Sequence, residues 1–288
     1  MDTALIDLRE TLKRFNVTPK KSLGQNFLFD EAILDRIVAA AEVEQGDVVL
    51  EIGPGAGSLT RHLARAAARV IAVELDDRLM PVLHHTLAGF PNAIVIHGDI
   101  LSVQIPNLKS HAKRPNSNYK VVANIPYYLT SAIIRRLLEA EVKPSLVVLT
   151  VQREVAGRIC ASPPDMSLLA VSVQFYGQPR LVGHIPAGAF YPAPDVDSAI
   201  VRIDLFDQPP LRGAEADQFF ALVKAGFSQK RKQIKNALAA GLRLKGAEAE
   251  KLLLAANIDP ARRAETLTME EWLSLCSRVV EQSGGRIV

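Results

Sequence analysis

Five unbroken apolar runs, set apart by helical or polar stretches, constrain this chain more than any other feature. They are Val48-Val49-Leu50, Val70-Ile71-Ala72-Val73, Ala93-Ile94-Val95-Ile96, Val121-Val122-Ala123 and Leu146-Val147-Val148-Leu149. A strand with one solvated face alternates apolar and polar residues. Continuous runs belong to parallel strands covered on both faces. Helical candidates fall at Leu59–Ala68, Arg78–Leu87 and Ser131–Glu139, and Ser110–Asn118 reads as a polar surface loop. Strand and helix in repetition, joined by right-handed crossovers, predict an α/β fold around a doubly wound sheet. With 288 residues, 48% of them hydrophobic, there is material for a sizeable core.

The pattern changes after Gln152. Pro163-Pro164 marks a break, four further prolines punctuate a β-rich stretch, and Ser198–Leu205 reads as its last strand. Gln208-Pro209-Pro210 looks like a linker, and helical patterns follow at Ala214–Gly226, Gln229–Ala240, Ala247–Ala256 and Thr268–Glu281. The expected boundary lies near Asp207, giving domains at 1–207 and 208–288.

The first apolar run leads into a glycine turn, Val48–Leu59 reading VVLEIGPGAGSL. Glycine at Gly53 and Gly55 lets another group approach the backbone closely. Glu74 ends the next run 21 positions after Gly53, the spacing of an acidic residue that hydrogen-bonds a ribose diol. Asp99 follows the third run in a Gly98-Asp99 turn. Glycine, carboxylate and carboxylate thus stand at the carboxyl edge of three successive strands, where open α/β sheets bind ligands. A dinucleotide and S-adenosylmethionine (SAM) both fit this edge. Ser58 stands where the dinucleotide fingerprint has its third glycine, and Glu51, two residues before the turn, suits a ligand bearing an ammonium and a sulfonium. These residues favour SAM over a dinucleotide.

The fourth run ends in Asn124-Ile125-Pro126-Tyr127. The Asn124 side-chain oxygen and the Ile125 carbonyl can both accept from an exocyclic amine. Pro126 stiffens the turn and donates nothing. Tyr127 offers a ring on which a base can stack, a contact worth roughly 1–3 kcal/mol in single-strand binders. Such a turn suits methylation of a base nitrogen, driven by positioning and aligned dipoles.

Taken together, the ordered motifs resemble the ribosomal small-subunit RNA adenine dimethyltransferase family, the KsgA/RsmA type. The resemblance runs from Lys20 to about Leu267. It rests on Lys21–Leu28 (KSLGQNFL), Glu51–Gly55, Glu74–Asp76, Gly98-Asp99, Asn124–Tyr127, Gln152–Ala156, Phe190–Ser198 and Phe227–Lys232. It implies a Rossmann-like class I SAM-dependent methyltransferase sheet with a small all-helical C-terminal domain. It implies SAM as cofactor, S-adenosylhomocysteine as product, and dimethylation of two adjacent adenines in the 3′-terminal hairpin loop of 16S rRNA. By the same resemblance Asn26 and Leu28 would close over the methionine end of SAM. Gly53, with Gly55, would meet it through backbone, Glu74 would hold the ribose and Asp99 the adenine amine. Asn124 would bridge cofactor and target amine beside Ile125 and Pro126, Tyr127 would stack on the target adenine, and Phe190 would cover its other face. The family commonly carries a Lys and a Tyr-Gly pair where this chain reads Pro163–Leu168 (PPDMSL), which removes the grounds for a substrate-gripping role of that loop.

The net charge of +3 is too mild to name a partner, but its distribution is informative. Lys224 to Lys245 holds seven basic residues and no acidic one, Lys230, Arg231 and Lys232 among them. Thr11–Phe29 adds Lys13, Arg14, Lys20 and Lys21. Two such clusters flanking an amine-methylating crevice point to RNA phosphates, and Lys230, Arg231 and Lys232 are the candidate contacts. The expected partner is small-subunit rRNA or the 30S particle, and the expected state a cytoplasmic monomer. Two cysteines exclude a disulfide framework, no Cys/His cluster suggests a metal, and no run is long enough for a membrane span. The rival readings are a 23S rRNA adenine methylase of the antibiotic-resistance type and a non-catalytic RNA-binding assembly factor.

Overall fold

The structure, a computed structural model, describes residues 7–104, 119–125, 130–140 and 142–283. Ser110–Asn118, Pro126 and Tyr127 lie outside the described residues. The chain opens with α1 (Leu8–Arg14), a two-residue strand β1 (Phe27–Leu28) and α2 (Glu31–Ala40). Each helix starts at an aspartate. The Asp7 carboxylate accepts from the Glu10 N–H and that of Asp30 from the Ile33 N–H, satisfying amides the helix itself leaves open.

The five apolar runs become β2 (Val48–Ile52), β3 (Arg69–Glu74), β4 (Ala93–His97), β5 (Lys120–Asn124) and β6 (Leu146–Gln152). Between them lie α3 (Ser58–Ala66), α4 (Met80–Thr86) and α5 (Thr130–Leu138). These five strands pair with one another in parallel. There follow α6 (Arg153–Ile159), α7 (Leu168–Gln174), β7 (Gly177–Ile185), β8 (Phe190–Tyr191) and β9 (Ser198–Leu205). The sheet order is β4-β3-β2-β5-β6-β9-β7, with β9 antiparallel to β6. Strand order reverses between β2 and β5, which opens a crevice at their carboxyl ends. β4 departs from expectation. It is an edge strand, and its residues are half-buried or exposed rather than covered.

The chain divides into two compact units. The first ends at Ala156 and resumes at Arg180–Leu205; the second comprises Gly157–Pro179 and the chain from Phe206 onward. Its helices are α7, α8 (Ala214–Phe227), α9 (Ile234–Gly241), α10 (Gly246–Ala255) and α11 (Met269–Ser283). The expected boundary near Asp207 assigned α7 to the first domain. Its Ala170, Val171 and Phe175 instead pack in one core with Phe219, Leu222 and Trp272. Sequence spacing carried no sign of that partnership, because α7 is only seven residues long. Trp272 is wholly buried, its ring stacked 5.7 Å from that of Phe227, and Gly226 leaves it room.

The basic run also differs from its expected setting. A helix was predicted over Gln229–Ala240, but α8 stops at Phe227 and α9 starts only at Ile234. The Ser228 hydroxyl donates to the Ala225 carbonyl at 2.6 Å where α8 ends. Lys230, Arg231 and Lys232 therefore lie on an exposed turn.

Candidate active site

An open cavity sits at the strand-order reversal, the place where open α/β sheets bind ligands. Three strand ends form its floor. β2 contributes Ile52, Gly53 and Gly55; β3 contributes Val73 and Glu74, with Leu75 beyond; β5 contributes Asn124, with Ile125 beyond. Gly98, Asp99 and Ile100 follow β4 along the same rim, and the segment Leu23–Phe27 forms a wall. Parallel register explains the convergence, for Ile52 pairs with both Val73 and Ala123, so the next residues of β2, β3 and β5 emerge side by side.

Backbone conformation accounts for the glycines. Gly53, Gly55 and Gly57 have φ of +68°, +60° and +88°, a region L side chains avoid. Gly55 has a second reason that the sequence did not disclose. A Cβ there would come within 2.7 Å of the Phe27 ring, so β1 and the turn can pack only if position 55 lacks a side chain.

Glu74 is buried and cross-braces the turn. One carboxylate oxygen accepts from the Gly55 N–H at 3.0 Å, the other from the Asp76 N–H at 2.9 Å. Burial raises its pKa, those backbone hydrogen bonds oppose the rise, and the nearby Asp76 charge adds to it. A carboxylate has about four acceptor positions, so capacity remains for a hydroxyl donor. Asp99 accepts from the Leu101 N–H at 2.9 Å, which fixes its turn at the rim. The Asn124 side chain donates its Nδ2 hydrogen to the Asn26 carbonyl at 3.1 Å. The amide is thereby oriented with its oxygen left as an acceptor.

Glu51 does not do what its position suggested. It is 1% exposed and absent from the cavity lining. Burial pushes its pKa up to about 8, the Thr60 hydroxyl opposing and the Glu74 charge reinforcing, so it is mostly neutral at pH 7. Alternation along β2 explains the difference, for neighbouring residues face opposite sides and Ile52 takes the cavity.

Asn26, Gly53, Gly55, Glu74, Asp99, Asn124 and Ile125 thus share one cavity. Leu28 and Phe190 do not line it. They pair across the antiparallel β1–β8 ribbon and are buried in the core with Ile33 and Leu34. Gln25, Phe27, Leu75 and Ile100 line it without having been singled out. Gln25, Phe27 and Leu75 stand inside motifs quoted for the resemblance, which was the available signal.

The family model for ribosomal RNA adenine dimethylase matches residues 16–279. This chain belongs to the ribosomal RNA adenine dimethylase family. A relative named ribosomal RNA small subunit methyltransferase A, from Dehalococcoides mccartyi strain CBDB1, is 47% identical over 268 residues, 93% of this chain and 91% of that protein. One of the same name from Alkaliphilus oremlandii is 41% identical, covering 95% and 96%. Among solved structures, a dimethyladenosine transferase from Plasmodium falciparum superposes with TM-score 0.78 at 25% identity, over 91% of this chain and all of the other. The 23S rRNA methyltransferase ErmE does so with TM-score 0.71 at 31% identity, over 88% and 99%. This rRNA adenine dimethylase has the expected class I methyltransferase architecture, an α/β sheet followed by a helical region. Among the described residues no helix is long and apolar enough to cross a membrane.

Proposed function

We propose that the chain is a SAM-dependent adenine N6-dimethyltransferase acting on two adjacent adenines in the 3′-terminal hairpin loop of 16S rRNA. One observation carries this reading. The Asn124 amide, the glycine turn and two carboxylates stand around one cavity at the strand-order reversal. The residues fit SAM. The buried carboxyl of Glu74 keeps acceptor capacity for a ribose diol, Asp99 lies on the rim within the same cavity for an adenine amine, and Leu75 and Ile100 give apolar walls. Gly53 lets backbone approach where a side chain would intrude. Bound SAM supplies a methyl group on a sulfonium.

Asn124 and the Ile125 carbonyl accept from the target amine and hold its lone pair toward that methyl. Positioned acceptors contribute most of the acceleration. The proton leaves after transfer, so no deep general base is required. By the family resemblance Tyr127, beside Pro126, would stack on the base, while Leu28 and Phe190 hold the wall from the core side. Lys230, Arg231 and Lys232 meet rRNA phosphates from their exposed turn. The names of the relatives at 41–47% identity support the small subunit over 23S rRNA. A bacterial enzyme with this substrate works in the cytoplasm, as a monomer on the 30S particle.

Incubation with labelled SAM and undermethylated small subunits tests the reading. Label should map to two neighbouring adenines near the 3′ end of 16S rRNA. Label confined to 23S rRNA, or absent from both, refutes it.

A further inference from the structure

The wall over the cavity is bolted down by a set of contacts that the chemistry above leaves unused. The Gln25 side chain spans two anchor points. Its Oε1 accepts from the Lys20 N–H at 2.7 Å, and its Nε2 donates to Asp76 Oδ2, also at 2.7 Å. Asp76 lies two residues past Glu74, and its carboxylate also takes the Arg78 guanidinium through Nε at 2.9 Å. Arg78 reaches on to the Thr18 carbonyl at 3.2 Å. The edge of β3 therefore grips the segment at Thr18 and Gln25. One residue later the Asn26 carbonyl accepts from Asn124, and Phe27 follows, packed where Gly55 lacks a Cβ.

The chemistry makes this placement consequential. A target amine donates hydrogen, so Asn124 must present its oxygen; a rotated amide would set donor against donor. Only a carbonyl held beside Nδ2 decides between the two orientations, and that carbonyl belongs to Asn26. We propose that Gln25 and Asp76 are positioning residues, a latch that closes segment 20–27 over the donor and so orients the Asn124 amide for transfer. The proposal rests on the methyltransferase reading above. Asp76 is held down to about 2, first by the Arg78 hydrogen bonds and further by Gln25, so the latch keeps its charge at any working pH.

Gln25→Glu tests it. The new carboxylate still accepts from Lys20 but faces Asp76 with like charge, which opens the latch. Loss of a hydrogen bond to a charged group is worth about tenfold or more. S-adenosylhomocysteine release, followed by stopped flow, should quicken by about that factor, and kcat should fall at least tenfold with the RNA KM unchanged. The exposed neighbour variant Asp77→Asn should behave as wild type. Should Gln25→Glu fold poorly, the neutral Gln25→Met gives the same expectation for release. Wild-type release and turnover in the single variant overturn the latch. A wild-type enzyme that transfers nothing to RNA refutes the methyltransferase reading, while the release rates still decide the latch.

Discussion

Asn124 illustrates how much one amide is asked to do. Its Nδ2 is committed to Asn26, so only the oxygen is free to accept from a substrate amine. Asn124→Ala should abolish methyl transfer while the unfolding midpoint stays within a degree or two of wild type, read by labelled-donor incorporation and calorimetry. Glu74→Ala should act differently, because it removes both a proposed ribose acceptor and the partner of the buried Gly55 N–H. SAM affinity by calorimetry should weaken at least tenfold, and stability should drop by about 1–3 kcal/mol from the orphaned amides. Glu51 carries a pH signature. Its folded pKa of about 8 lies above the ordinary carboxylate value of 4.5, so the folded chain binds more protons than the unfolded chain between those two values. Its contribution therefore favours folding fully below about pH 4.5 and is lost as pH rises through about 8, at a slope of about 1.4 kcal/mol per pH unit. Glu51→Gln should leave stability at pH 5 nearly unchanged and raise it at pH 8, measured by urea unfolding.

Among the elements, β1 shows how a two-residue strand can organise a site. It pairs with β8, sets Leu28 and Phe190 into the core, and turns Phe27 toward the glycine turn. Gly55→Ala would force its methyl into that ring and hold φ at +60° without glycine's freedom, a cost of about 1–2 kcal/mol before any clash. Donor binding should suffer with it, since the displaced strand continues from the cavity wall. The turn between α8 and α9 is the other element with a functional reading. Three exposed cations lie on it, the proposed phosphate contacts. Neutralising Lys230, Arg231 and Lys232 together should lower the log–log salt slope of RNA binding by about 2, at roughly 0.7 per phosphate contact. An unchanged slope in filter binding would remove that turn from the interface.

For the whole molecule, sequence and tertiary structure divided the work along a physical line. Periodicity and turn chemistry are local, so the five parallel strands, the helices between them and the C-terminal helices could be read directly. Ser198–Leu205 is the same strand in both. The spacing of Gly53, Glu74, Asp99 and Asn124 could be read too, because parallel strands bring successive carboxyl ends to one edge whatever the side chains do between. Packing is not local. That α7 joins the C-terminal core, that Glu51 is buried and mostly neutral, and that the basic run lies on a turn all depended on which distant residues meet. The link from Gln25 to Asp76 spans 51 positions of sequence and exists only because β3 and the N-terminal segment stand side by side. Hydrophobic pattern and backbone conformation determined the architecture and the edge at which the cavity opens; three-dimensional contact alone decided which groups are buried, which are charged and which hold the Asn124 amide in place.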